Sequence, residues 1–370
     1  MVDWVKSRMD KINELYPESR IKKSKDRLTR LWEGERPLDR YPFTYGGMLF
    51  GYYEAIHTHE ERLKITLDEI YMRGHMNDDF IPSLFPGCKP TTIPAMFGAG
   101  ETRIGDDYTA ERIIKSYDDI DKLPEPVIAG GAREWIELQE YVLEATDGTL
   151  PVHVTDSQGP VDVAAAMWGY DNLFLAAYER PECYHRLLEK TTRAFIMYWK
   201  AQRDLLGDLF IPTHLFGWNW VPDSAGASLS ADSLVMVSGD FFDEFFAPYI
   251  AEIGREFGGA CVHSCGDFGQ LVKNLMAVPG LKGINASQMT VERLVDTGLD
   301  GKTVAVAMSG ANEAGAMFDL VREKDLRVDL TVFSIWPHRD GRFVPVEEMT
   351  DELWDELKRK DDMVIEGARI

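Results

Sequence analysis

Cysteine is scarce in this chain. Four in 370 residues are too few for a disulfide framework at this length. Free thiols point to a reducing compartment, so a cytoplasmic location is expected. Long apolar runs are missing as well. No stretch approaches the roughly 18 consecutive apolar residues of a spanning helix, and no membrane association is expected. The opening MVDWVKSRMDKINELY is charged throughout and lacks the apolar core of a secretory signal. Basic residues are outnumbered, 40 Lys and Arg against 62 Asp and Glu, for a net charge of −22. Nucleic-acid affinity comes from cations that neutralise phosphates, so no nucleic-acid partner is expected. The most basic cluster, RIKKSKDRLTR over 20–30, reads as a solvated helical face. No Gly-rich phosphate loop follows the first strand candidate, and no repeat or Pro/Ser linker divides the chain.

What is present alternates between short β-type runs and helical periods. Hydrophobic residues make up 45%, enough for a sizeable core. Strands are expected over 40–47, 150–157, 208–217, 258–265, 280–287, 302–310 and 329–337. Between two of them, residues 181–206 open with Pro-Glu, carry Leu187, Leu188, Phe195, Tyr198, Trp199 and Leu206 at helical spacing, and stop at Gly207. A second helix is expected from about Asp240, kinked by Pro248. Strands separated by helices imply parallel βαβ units. The expected fold is a single α/β domain, a (β/α)8 TIM barrel over 36–370 with an N-terminal helical extension over 1–35 lying outside it.

In such barrels the chemistry sits at the C-terminal ends of the strands. Several candidate strands end in polar or reactive residues: His153 and Asp156, His214, His263 and Cys265, Asn285 and Ser287, then Trp336 and His338. CVHSCGDFG (261–269) is the densest of these. Side chains alternate along a strand, so Cys261, His263 and Cys265 share one face. Residues two apart lie about 6.6 Å apart, close enough for two ligands to grip one ion. Cys261 and Cys265 are about 13 Å apart by the same arithmetic, which assigns Cys261 to the buried interior and His263 with Cys265 to the rim. Zinc suits an imidazole with a thiolate. Gly266 permits a sharp turn off the strand, and Asp267 is expected to orient His263.

The HSCGD segment, with the preceding FFDEFFAPYIAEIGREFGG, resembles the uroporphyrinogen decarboxylase superfamily, most of all its zinc- and corrinoid-dependent methyltransferase branch. RLTRLWEGERPLDRYPF (27–43), QGPVDVAAAMWG (158–169), ERPECYHRLLEKTT (179–192) and LSADSLVMVSGDFFDEFFAPY (229–249) agree in order. The resemblance implies a barrel whose His263 and Cys265 bind zinc. A further cysteine near the last strand commonly completes that site, but DLTVFSIWPHRDG has none. His338 stands near the expected place and is the replacement candidate, with a carboxylate such as Glu313 or Asp232 as the alternative. Asp232, His214, Trp218 and Trp336 are expected to contact the substrate. The activity implied is methyl transfer between a small molecule and a corrinoid (cobalamin) carried on a partner protein, with an O-methyl donor favoured over a thiol acceptor. Two alternatives stand beside it: a metal-independent decarboxylase of a tetrapyrrole, and a non-enzymatic ligand-binding barrel. The decarboxylase's Arg-rich N-terminal stretch has no counterpart here.

Overall fold

The computed structural model describes residues 2–36, 39–47, 58–87, 89–104, 107–214, 219–339 and 342–370. Its strands are β1 (Phe43–Tyr45), β2 (Glu101–Ile104), β3 (Asp107–Ala110), β4 (Val152–His153), β5 (Phe210–Ile211) and β6 (Ala227–Ser230). They continue with β7 (Ala260–His263), β8 (Leu281–Asn285), β9 (Val304–Gly310), β10 (Arg327–Phe333), β11 (His338–Arg339) and β12 (Arg342–Phe343). Six of them form one sheet in the order β1-β10-β9-β8-β7-β6, with every neighbouring pair parallel. β4 and β5 make a separate parallel pair, and β2–β3 and β11–β12 are antiparallel hairpins.

Helices Ala247–Phe257, Val272–Ala277, Val291–Thr297 and Ala314–Lys324 connect the successive strands from β6 to β10. Parallel strands need such crossovers, and covered sheets read as continuous apolar runs. All four residues of β7 are accordingly buried. Val262, Ile284, Ala305, Ala307, Leu330 and Val332 pack with Phe242, Ile253, Leu275, Leu294 and Phe318 in the main core.

Backbone links extend beyond the ladders. Asp79 N–H donates to the Phe43 carbonyl at 2.8 Å, Leu84 bridges Val152, and Gln158 bridges Ser230, both in parallel. The α/β class and the parallel sheet are thus present. Among the described residues no ladder joins β5 to β6, so closure of an eight-stranded barrel is not shown by the pairing.

Helix Pro181–Leu206 has the bounds its end signals predict, and all six of its expected apolar residues are buried. Pro248 does more than kink. Helix Gly239–Phe245 ends, Phe246 turns the chain, and Pro248 sits in the first turn of Ala247–Phe257, where its missing N–H costs nothing.

Residues 3–33 form two helices that share the molecule's interior. Val5, Met9 and Ile12 pack on Leu63, Leu67 and Ile70. Leu31 and Trp32 pack on Cys261, Val304 and Val306 of the sheet, and Trp32 Nε1 donates to Asp329 Oδ2 on β10 at 3.3 Å.

Candidate metal centre at the strand ends

Parallel strands bring their last residues to one end of a sheet, and here those are Ser230, His263 and Asn285. β7 stops at His263, and the chain then turns away through Gly266, whose φ of +78° suits glycine. A Cβ there would meet Val235 Cγ1 at 2.9 Å. The turn carries Cys265 back over the strand end, with its Sγ 3.5 Å from His263 Nε2.

Asp232 joins them from the short 3-10 turn Asp232–Met236 that follows β6. Its Oδ1 accepts from the Cys265 backbone N–H at 2.8 Å and lies 3.7 Å from His263 Nε2. Gln158 Nε2 reaches its other oxygen at 3.4 Å. One donor atom from each of Asp232, His263 and Cys265 lies within 4.8 Å of the other two. His263 is buried, while Asp232 and Cys265 are partly open. No lysine or arginine pairs with Asp232 among the described residues.

His263 Nδ1 faces Asn285 Oδ1 at 2.6 Å, and Asn285 Nδ2 donates to the Val306 carbonyl at 3.0 Å. Behind this row lies a second polar set. Ser230 Oγ donates to Asp156 Oδ1 at 2.8 Å, and His214 Nε2 sits 3.2 Å from the same oxygen. Burial pushes the Asp156 carboxyl up to about 6, against the pull of His263 and Ser230. Burial pushes His214 down to about 3, so its ring is neutral. The Cys265 thiol rises to about 11, first through burial and then through the Asp232 charge beside it. A divalent cation would reverse that last effect. One imidazole, one thiol and one carboxylate within reach of a single point, without a basic side chain on the carboxylate, form a donor set that fits zinc.

The other expected residues lie elsewhere. His338 is exposed on β11, its Nδ1 against the Trp336 carbonyl at 3.0 Å and its ring against Phe343. It is not in the cluster. Trp336 is buried, donating from Nε1 to the Gly46 carbonyl at 2.7 Å. His214 is enclosed by Ser228 on Nδ1 and by Ser230 and Asp156 on Nε2. Trp218 and Cys88 lie outside the described residues. Asp267 does not orient His263; it bonds Arg293 Nε at 2.9 Å and the Gly269 N–H at 2.8 Å. Glu313 precedes helix Ala314–Lys324 as its N-cap residue, and Cys183 is buried in the long helix.

Residues 91–219 match the family model described as Uroporphyrinogen decarboxylase (URO-D). A search of the curated proteins finds no match. Among solved structures, a methyltransferase from Methanosarcina mazei has a similar fold, with a TM-score of 0.61 and 15% identity, covering 92% of this chain and 98% of that chain. The family match bears out the superfamily resemblance read from the sequence, and the structural likeness bears on the fold.

Proposed function

We propose that this chain, an enzyme whose likeness to the uroporphyrinogen decarboxylase superfamily is the premise, is a zinc-dependent methyltransferase. It moves a methyl group between a small O-methyl compound and a corrinoid carried on a partner protein. The family match and the structural neighbour support a methyltransferase-like or decarboxylase-like activity in general. The convergence of His263, Cys265 and Asp232 supports the zinc-dependent form. In this reading the parallel sheet belongs to a (β/α)8 barrel over 36–370, with residues 1–35 as its extension. The enzyme works in the cytoplasm, where the Cys265 thiol, free here, stays reduced.

His263, Cys265 and Asp232 hold the ion, and Asp232 takes the third place for which His338 was the first candidate. Zinc so held supplies Lewis acidity toward an ether oxygen. The chain's own part is to aim the ligands. Asn285 backs His263, while Gln158 and the Cys265 N–H anchor the carboxylate of Asp232. Asp156 presents a partly buried carboxyl, pushed up to about 6, beside Ser230 and His214. The apolar side chains Val235 and Met236, on the same turn as Asp232, are exposed.

The test has two stages. Metal in wild type and Cys265→Ala is measured by mass spectrometry, with zinc expected in the first and lost in the second. Equal zinc in both, or none in either, defeats the metal assignment. Reduced Co(I) corrinoid is then offered with a panel of methyl ethers, and methyl-cobalt formation is followed spectrally. In parallel, methylcobalamin is offered to thiols. Turnover of thiols alone would reverse the choice of substrate. Silence in both assays, with zinc bound, would favour a binding protein.

A further inference from the structure

We propose that Asn285 is a positioning residue that fixes His263 as its Nδ1–H tautomer, so that Nε2 is set as a donor atom before any metal arrives. The inference rests on reading His263, Cys265 and Asp232 as a metal site, and it names what makes that site ready-formed.

The argument begins with the asparagine. Amide oxygen and nitrogen are told apart by their partners rather than by shape. Asn285 is fully buried at the end of β8. Its Nδ2 lies 3.0 Å from the Val306 carbonyl oxygen, which can only accept. The reversed amide would press two acceptors together in the core and leave both without a donor. The amide is therefore fixed with Oδ1 toward His263, 2.6 Å from Nδ1. An acceptor at Nδ1 requires a proton there. In the neutral ring Nε2 then carries the lone pair, and it is Nε2 that lies 3.5 Å from Cys265 Sγ and 3.7 Å from Asp232 Oδ1.

The backbone enforces this arrangement. β7 and β8 are parallel with His263 opposite Asn285, and Asn285 pairs in turn with Val306 on β9. The chain from Val306 through Asn285 to His263 thus crosses three adjacent strands at one level. Partners that orient a ligating histidine are often carboxylates. A neutral amide here sets the tautomer without adding a further negative charge beside the Asp232 carboxylate.

The experiment uses the whole chain labelled with 15N-histidine, as wild type, Asn285→Leu and Asn285→Asp. The ring-nitrogen shifts of His263 are read in the metal-free proteins at neutral pH, and zinc affinity is read by competition with a chelator. Wild type should show the Nδ1–H form without metal. Asn285→Leu should lose that preference and bind zinc about 10- to 100-fold more weakly. Asn285→Asp, which keeps an acceptor in place, should retain both tautomer and zinc. An Nε2–H ring in the wild type would overturn the proposal. So would an Asn285→Leu protein with an unchanged tautomer and unchanged zinc affinity, even if its melting temperature fell. If the leucine variant does not fold, the wild type and the aspartate variant decide. If the wild type binds no zinc, the metal reading fails by itself, while the tautomer still tests the role of Asn285.

Discussion

Cys261 and Cys265 stand four residues apart, and replacing each by alanine should have opposite consequences. Cys261 is 2% exposed, among Leu31, Trp32, Val221, Ala225, Val304 and Val306. Its Sγ touches the Ala225 carbonyl at 3.4 Å, and burial holds its thiol far above the ordinary range. Packing is tight, since a Cβ on Gly283 would come 3.3 Å from that sulfur. Cys261→Ala removes one buried heavy atom, a weak S–H contact and the dispersion around both. The expected cost is about 1–2 kcal/mol, or about 1–3 °C in melting temperature for a chain of this size. Zinc content should not change.

Cys265 is partly open and, unlike Cys261, is not a member of the hydrophobic core clusters of the described residues. Cys265→Ala should cost the metal-free protein less than about 1 kcal/mol while abolishing stoichiometric zinc. Metal is measured by mass spectrometry. Melting is measured in excess chelator, because bound zinc would itself raise stability by mass action. If Cys261→Ala lost zinc as completely as Cys265→Ala, the placement of Cys261 beneath the site would be refuted.

The remaining expectations are brief. Asp232→Ala should lose most of the zinc and His338→Ala none, because the first is in the cluster and the second is exposed on β11; equal loss in the two would restore His338 as a ligand. Burial raises Asp329 to about 7, above the roughly 3.9 of an unfolded chain. Its contribution to stability is therefore fully present below about pH 4 and lost as pH rises through about 7. Asp329→Asn should flatten that fall in denaturant unfolding, and an unchanged slope would refute the assignment. Asp267→Ala breaks a pair exposed on both sides, so it should cost under about 1 kcal/mol and leave zinc intact; loss of zinc would return to Asp267 the role assigned to Asn285.

Much of this architecture was legible in the chain. Pro181 and Gly207 mark a helix because each end signal is local chemistry, and seven strand candidates overlap observed strands for the same reason. β6 was missed. Its sequence, ASLS, has two serines turned inward, one bonded to His214 and the other to Asp156. Hydrogen bonding replaces the apolar alternation that announces a strand. With β6 unread, the level of Asp232 beside His263 was unreadable too. The His-x-Cys pair was visible because two ligand types two residues apart are a local signal, although Cys265 lies on the turn beyond β7 and not on the strand face the alternation gave it. Asn285 could be named only as a polar strand end, since the role proposed for it depends on the β7–β8 register. Asp267 was placed by nearness in sequence, but Arg293 holds it away.

The identity of the third donor bears directly on the substrate. A carboxylate carries the same charge as the thiolate it replaces, so the difference lies in softness rather than in the charge sum. Thiolate sulfur donates strongly to zinc; carboxylate oxygen is harder and donates less. Two hydrogen bonds, from the Cys265 N–H and Gln158 Nε2, further draw electron density from Asp232. An ion held this way keeps more of its own charge than one between two thiolates. It therefore binds an oxygen lone pair better and has less advantage in holding a further thiolate. The neutral Asn285 behind His263 acts in the same direction, because a carboxylate there would make the imidazole a stronger donor. On the proposed zinc-site reading, a hard third ligand, the hydrogen bonds on it and an uncharged partner for the histidine would together favour an ether oxygen over a thiol.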